Sequence, residues 1–485
     1  MKMLRTILLC AALGFFCLTV CAAPAGEPAA KKMNVIFILA DDLGWSDLGC
    51  YGADLHETPN LDRLASQSVR FTRAYAMSVC SPTRASIMTG KHAARLHITI
   101  WREGALSAPP QKKVIPPKPV ADLPLEETTI AEALKAAGYL TFHVGKWHLG
   151  DASHYPETQG FDVNIGGTHW GAPNSYFYPF SGSKVFGDFR YVPGLGVGKP
   201  GDYLTDRFTD EALKLIDAAG DRPFYLNLCF HNPHTPIEAK PHLVDYYSKK
   251  LQPGMHHQNP AYAAMIHTLD ENVGRIMARL EERGLADHTL LVFNSDNGGF
   301  INDYQKRTVT DNYPLRSGKG SLYEGSVRVP LLVRWPGVTP KGAVCSAPVL
   351  CTDYFRTLAG VAGLPESALG GSGIDGVSLV PLLKDPKAKL AREAMYFHYP
   401  HYYHTTSPVS AIRQGNWKLL EYYEDGKTEL YNLADDPSEQ NDLAQEKSDK
   451  AAELKQQLHA WLKEVNAQLP EPNPNFTPAK AKKKK

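Results

Sequence analysis

Short apolar runs recur along the chain, and each hands over to charged or amide side chains. Val35 to Leu39 leads to Asp41-Asp42, and Leu140 to Val144 leads to Gly145-Lys146-Trp147-His148. Phe224 to Phe230 leads to His231-Asn232-Pro233-His234, and Leu290 to Phe293 leads to Ser295-Asp296-Asn297-Gly298. Runs so uniformly apolar read as strands buried on both faces. Between them lie helical patterns, Thr129 to Ala137, Thr205 to Ala219 and Ala261 to Arg283. Each stops at a glycine, Gly138, Gly220 or Gly284. The alternation predicts an α/β domain over residues 34–375, a large, mostly parallel sheet sandwiched by helices. Beyond residue 375 the pieces shorten: Ala394 to His398, Ala411-Ile412-Arg413, Trp417 to Tyr422 and Glu429-Leu430-Tyr431, then a helix from Asp449 to Asn466. This predicts a smaller C-terminal antiparallel sheet plus helix over residues 376–470. No internal repeat is visible.

The ends of the chain differ from its body. Lys2 and Arg5 precede a nearly continuous apolar stretch from Leu4 to Val20, and Cys21-Ala22-Ala23 supplies small residues for cleavage. Residues 1–23 therefore read as a signal peptide, and the protein as exported, periplasmic or secreted. A membrane anchor is the alternative, but the run is short for a bilayer span and no later stretch is long enough. A lipid anchor at Cys21 is a further alternative, against which the bulky Val20 counts. Residues 471–485, rich in Pro and ending in Lys482 to Lys485, read as a disordered tail. The net charge is +1; without the terminal clusters of positive charge the body is −6. A mildly acidic body argues against nucleic acid as a partner. Cleavage would leave five cysteines, Cys50, Cys80, Cys229, Cys345 and Cys351, too few for a disulfide scaffold. Cys345 and Cys351 are near enough in sequence to bridge.

In open α/β sheets, ligands bind at the carboxyl ends of the strands. Four runs ending in polar residues therefore point to one convergent site. If the ends of two of these strands coincide, Asp41, Asp42 and Asp296 repel one another strongly. A divalent cation relieves this, with the Asn297 amide completing an all-oxygen set suited to Ca²⁺ or Mg²⁺. Taken alone, Asp41-Asp42 could equally cap a turn. Elsewhere, Ser81 fits an N-cap, Pro82 the first helical position and Gly90 the stop. Cys80 then sits at a helix N-terminus, where the dipole favours an anion, with Arg84 on the same helix. Taken alone, it could equally be an ordinary buried cysteine.

The string Cys80-Ser81-Pro82-Thr83-Arg84-Ala85-Ser86-Ile87-Met88-Thr89-Gly90-Lys91 resembles the signature of the formylglycine-dependent type I sulfatases. Ala40-Asp41-Asp42-Leu43-Gly44, Gly145 to Gly150, His234-Thr235-Pro236, Ser295 to Gly298, and Lys319 with Tyr323-Glu324-Gly325 resemble further motifs of that family, in the expected order. The resemblance covers residues 34 to 470 and implies the alkaline phosphatase/sulfatase-like fold. It implies that a formylglycine-generating maturase reads the Cys80 motif and oxidises Cys80 to Cα-formylglycine. The hydrate of that aldehyde carries two hydroxyls on one carbon. One attacks sulfur, and the other lets the aldehyde re-form and expel sulfate. The implied ligands of one Ca²⁺ are Asp41, Asp42, Asp296, Asn297 and the oxygen at position 80. Arg84 and His148 would hold and deprotonate the hydrate, and His234 would be the general acid. Lys146 and Lys319 would neutralise charge on the sulfate oxygens.

For the substrate, aromatic residues crowd the segment from Thr168 to Tyr203 and the stretch Phe397 to His404. Such rings stack on sugars, which nominates His169 and His401 as substrate contacts; packing between the two predicted domains is the alternative. The family style suggests an exo-acting enzyme on sulfated galactose or N-acetylgalactosamine of host or algal glycans, 4-O before 6-O. Two other functions stand beside it. One is a phosphomonoester or phosphodiester hydrolase of the same superfamily, and the other a non-catalytic sulfoglycan-binding protein with an unconverted Cys80.

Overall fold

In the computed structural model, which describes residues 32–107 and 109–477, nine strands build one sheet. They are β1 (Asn34–Ala40), β2 (Val69–Tyr75), β3 (Leu140–Gly145), β4 (Val163–Ile165) and β5 (Phe224–Cys229). The others are β6 (Thr289–Ser295), β7 (Arg328–Arg334), β8 (Ala343–Cys345) and β9 (Val349–Leu350). Their spatial order is β8-β2-β7-β6-β1-β5-β3-β4, with β9 also paired to β2. Every pairing is parallel except those of β7, which runs against both β2 and β6.

The apolar runs fill both faces of this sheet. Val35, Phe37 and Leu39 of β1 enter one core, while Ile36, Ile38 and Ala40 enter the other. That is the two-residue period of a strand covered on both sides. The first core is closed by α1 (Cys80–Thr89), α2 (Ile130–Ala136) and α5 (Asp353–Val361), through Ile87, Leu134 and Phe355. The second is closed by α3 (Leu204–Ala219) and α4 (Pro260–Glu282), through Phe208, Ile216, Leu269 and Ile276.

A separate antiparallel sheet contains β10 (Ala394–Tyr399), β11 (Val409–Gln414), β12 (Trp417–Tyr422) and β13 (Thr428–Asn432), in that order. Its two faces have different partners. Ile412, Leu419 and Leu430 pack on Leu454, Leu458 and Trp461 of α6 (Ser448–Glu464). The alternate residues Ala411, Leu420 and Tyr431 join the first core of the large sheet. From Met33 onward the chain forms one compact unit that contains both sheets.

Three sequence expectations need comment. Glu471–Pro472 pairs antiparallel with Val114–Ile115, so the segment read as a disordered tail begins as paired chain; residues 478–485 and the signal-peptide segment 1–23 lie outside the described residues. Cys345 and Cys351 are both free, and the Cys345 thiol donates to the Pro386 carbonyl oxygen at 3.3 Å. Among the described residues, no helix is long and apolar enough to cross a membrane.

Register sets the working edge. Ala40 lies opposite Ser295, and Leu39 and Gly145 both lie opposite Cys229. The residues that follow each strand therefore emerge together. Gly145 makes the closest approach: its φ is +101°, and a Cβ there would sit 1.9 Å from the Cys229 carbonyl oxygen. Gly145→Ala is expected to cost at least about 2 kcal/mol, read from urea unfolding midpoints. A wild-type midpoint would contradict this close packing of β3 on β5.

Candidate active site

Three buried carboxylates each meet a buried cation at this edge. Lys146 Nζ lies 2.9 and 2.7 Å from the two carboxylate oxygens of Asp41. Lys319 Nζ lies 2.7 Å from Asp42 Oδ1 and 2.9 Å from Oδ2. Arg84 donates to Asp296 Oδ2 through Nε at 3.0 Å and Nη2 at 2.8 Å, and to the Lys146 carbonyl at 2.8 Å. The reversed direction of β7 brings its amino end to this edge, and the loop before it delivers Lys319. Gly298 N–H donates to the Ser326 carbonyl at 2.7 Å, tying the Asp296 loop to the approach of β7.

Burial and charge set the protonation states. Burial pushes the Asp41 carboxyl well above the usual range against the pull of Lys146, with Asp296 and Asp42 adding to the rise. Burial would raise Asp42 too, but Lys319, helped by His234 and Lys146, holds it below. Arg84 does the same for Asp296. Asn297 Nδ2 donates to Asp42 Oδ1 at 2.7 Å, whereas its Oδ1 is buried without a hydrogen-bond partner. A buried acceptor left unsatisfied is costly. Beside it, Asp41, Asp42 and His234 each offer a ligand atom within 4.8 Å of the others. This oxygen-rich donor set fits a hard divalent cation.

Cys80 opens α1, directly after the extended Val79. The helix thus starts two residues before the Pro82 expected as its first position. Ser81 does not cap it; its hydroxyl donates to the His148 carbonyl at 2.7 Å. Gly90, left-handed at φ +69°, ends the helix as expected. His148 Nδ1 lies 3.3 Å from Cys80 Sγ, and its Nε2 lies 3.1 Å from Glu103 Oε2. The ring thus bridges thiol and carboxylate. Burial opposes ionisation of the thiol, but Lys146, His148 and Lys319 bring Cys80 down to about 6. Burial likewise opposes charge on His148, and Cys80 and Glu103 outweigh it, raising the imidazole. Both His148 and Asp42 have positive φ, 60° and 62°, uncommon backbone for such residues outside constrained sites. His234 is different: burial brings it down to about 3, only partly offset by Asp42. Its Nδ1 lies 2.7 Å from the Thr235 carbonyl, so Nε2 faces Asp42 Oδ2 at 3.5 Å.

Cys80, Asp42, His148, His234 and Lys319 open onto a cavity of about 260 Å³. Its outer wall is made by Trp101, Phe186, Phe300 and Tyr403, with Glu103, Arg190 and His404 as polar groups. The two histidines expected to touch substrate are not in this wall. His401 is buried and shares a 2.8 Å hydrogen bond with Thr99 Oγ1. His169 pairs with the Tyr155 hydroxyl at 3.0 Å and lies tilted against the Trp170 ring. Tyr403 and His404, two and three residues further on, line the cavity instead. Much of the aromatic segment around residues 168–203 is core as well, Tyr176 and Phe180 among it, whereas Phe186 reaches the wall beneath the Arg190 guanidinium, 3.8 Å from its ring centre. Glu103 and Arg190 carry no motif; only their place in the fold reveals them.

An oxygen-rich donor set, opposed by lysines and an arginine around the Cys80 side chain, fits a hydrolase of anionic esters. Residues 33–364 match the sulfatase family profile, and residues 318–468 match that of the N-sulphoglucosamine sulphohydrolase C-terminal region. A sulfatase of Formosa agariphila is 32% identical, covering 91% of this chain and 90% of its own length. Human N-acetylgalactosamine-6-sulfatase is 32% identical, covering 80% of this chain and 74% of its own. The crystal structure of Ps i-CgsB in complex with k-i-k-neocarrahexaose matches with a TM-score of 0.73 at 29% identity, over 89% of this chain and 93% of that one. The chain belongs to the sulfatase family and is a sulfuric ester hydrolase.

Glu103 is the acceptor that orients His148. Glu103→Gln is expected to lower kcat about tenfold or more, measured on a sulfate ester under saturating conditions. Unchanged kcat would remove Glu103 from the working site.

Proposed function

We propose that this sulfatase removes sulfate from carbohydrates, using Cα-formylglycine made from Cys80 and one Ca²⁺. The observation that carries the reading is that Cys80, in its Cys-x-Pro-x-Arg context, and Asp42 open onto one cavity, with Asn297 and Asp296 behind Asp42, hydrogen-bonded to its carboxylate and its backbone N–H, and the Asn297 Oδ1 unpaired. Asp41, Asp42, Asp296 and Asn297 would hold the ion together with the oxygen at position 80; the ion supplies Lewis acidity toward a sulfate oxygen. The formylglycine hydrate supplies a hydroxyl to attack sulfur and a second to release sulfate.

The chain's own residues supply the rest. His148, anchored by Glu103, accepts or returns a proton at the position-80 side chain, and Arg84 fixes that helix turn against Asp296. Lys146 and Lys319 face the charge that builds on sulfate oxygens. His234 stands at the cavity wall as the donor to the leaving oxygen; the negative charge of a bound sulfate ester favours the proton it needs at Nε2.

At about 260 Å³ the cavity is slightly smaller than the usual ligand site of roughly 300–1,000 Å³, which suits exo action on one terminal sugar. Trp101, Phe300 and Tyr403 offer faces for a ring, while Glu103, Arg190 and His404 reach hydroxyls. The relative named N-acetylgalactosamine-6-sulfatase supports a sulfate of N-acetylgalactosamine or of the related galactose; we place 4-O first and 6-O next. The leader-like residues 1–23 support export, and the maturase that reads the Cys80 motif would be an obligatory partner.

A panel of monosulfated galactose, N-acetylgalactosamine and glucosamine, long sulfated polymers and phosphate esters tests this. Turnover fastest on a terminal 4-sulfated galactose-type sugar is expected. Faster release from polymer interiors would overturn exo action, and preference for phosphate would overturn the sulfate assignment. Cys80→Ala is expected to abolish turnover while sulfated sugar still binds by calorimetry. Asp296→Ala is expected to lower bound calcium and rate together; full rate without metal would contradict the ligand assignment.

A further inference from the structure

A second buried cluster lies just beyond the loop that carries Asp41 and Asp42. Asp47, His56 and His257 each offer a ligand atom within 4.8 Å of the others, and all three are buried. Asp47 Oδ1 lies 3.3 Å from His257 Nε2 and 3.6 Å from His56 Nδ1. The second distance is too long for a hydrogen bond, and at the first His257 Nε2 is buried with no hydrogen-bond partner. The first distance suits shared coordination, since two atoms about 2.0–2.1 Å from one tetrahedral ion lie about 3.3–3.4 Å apart, and the second needs His56 to close in by only a few tenths of an ångström.

The surroundings orient these groups as outer partners orient metal ligands. His257 Nδ1 is held by Asp54 Oδ1 at 2.6 Å, which directs Nε2 toward Asp47. His56 Nδ1 lies 3.0 Å from the Asp47 carbonyl oxygen, a hydrogen bond of the ion-free state in which Nδ1–H donates and which an ion would replace. The Asp47 carboxylate is fixed at Oδ2 by Gly44 N–H and the Tyr262 hydroxyl, both at 2.7 Å, and at Oδ1 by the Thr310 hydroxyl at 3.0 Å. Among the described residues, no lysine or arginine is ion-paired to Asp47 or Asp54. The other such group, Asp122, Asp151 and His154, already holds the Arg102 guanidinium between its two carboxylates and needs no ion. Thr310, which donates to Asp47 Oδ1, also lines a separate cavity of about 410 Å³ with His256, Gln258 and Asp311.

We propose that Asp47, His56 and His257 form a second metal site, separate from the acidic catalytic one, that takes Zn²⁺. Two imidazoles and one carboxylate select a borderline ion over Ca²⁺. Two neutral imidazoles, the Asp47 and Asp54 carboxylates and one Zn²⁺ sum to zero charge. The ion would pin the loop after β1 to the start of α4, because Tyr262 donates both to Asp47 Oδ2 and to the Asp42 carbonyl at 3.0 Å. Without an ion, burial of His257 is outweighed by Asp47 and Asp54, which bring it up to about 9, an imidazolium clamp between two carboxylates.

The test is zinc content of the full-length protein, saturated with Ca²⁺, loaded with Zn²⁺ and then dialysed against zinc-free buffer. One zinc per chain is expected. His257→Gln and His56→Gln should each lose it while keeping the wild-type circular dichroism spectrum and calcium content, and His154→Gln should keep it. No retained zinc in the wild type, or zinc untouched by both substitutions, overturns the site in favour of the clamp. Should either variant fail to fold, zinc-edge anomalous scattering from wild-type crystals decides. A peak within bonding distance of Asp47 Oδ1 and His257 Nε2 is expected, and its absence from the cluster overturns the proposal.

Discussion

Everything at the working edge depends on burying three carboxylates together. In a low-dielectric setting each unpaired charge is costly, and each is therefore matched: Asp41 with Lys146, Asp42 with Lys319, Asp296 with Arg84. The matching is possible only because the register of β1, β5, β3 and β6 ends those strands level, and because β7 runs backwards to present its leading loop there. The catalytic groups are thus a consequence of sheet order. Removing one cation would leave its buried carboxylate unpaired.

The small sheet is bound into the same electrostatic design. Lys418 on β12 is fully buried between Glu324 and Glu439, each at 2.9 Å. Glu324 lies five residues after Lys319, and Tyr75 and Arg328 also reach it. The strands after residue 393 therefore brace the approach to β7, and the loop between β10 and β11 supplies Tyr403 and His404 to the cavity wall. Alternation along β11, β12 and β13 sends one face to α6 and the other to the main core, so the piece packs on both sides.

Much of this was legible in the residues. Fully buried parallel strands are nearly continuous apolar runs, and β1, β3, β5 and β6 stand within about two residues of their expected bounds. β2 and β7 were not legible. Arginines interrupt β2, and Pro330 breaks the ladder of β7, where the pairing with β2 shifts register. Asp41, Asp42, Asp296 and Asn297 announced themselves through motifs at strand ends, and Cys80 through the motif that opens α1. Glu103 and Arg190 did not, because a short helix (Arg102–Leu106) and a loop bring them in from remote sequence without a local pattern. His401 misled for the opposite reason: a local run of rings and imidazoles cannot tell which members turn inward. Ser81 misled because a favourable capping residue was engaged instead by the His148 backbone.

The central claim is that the side chain at position 80 works as a hydrated aldehyde seated among these paired charges. Mass spectrometry of the peptide containing residue 80, from protein matured in a host that carries the oxidising enzyme, reads this directly. The account requires an aldehyde in place of the thiol, in proportion to specific activity. A fully active preparation with an intact cysteine at position 80 would contradict it.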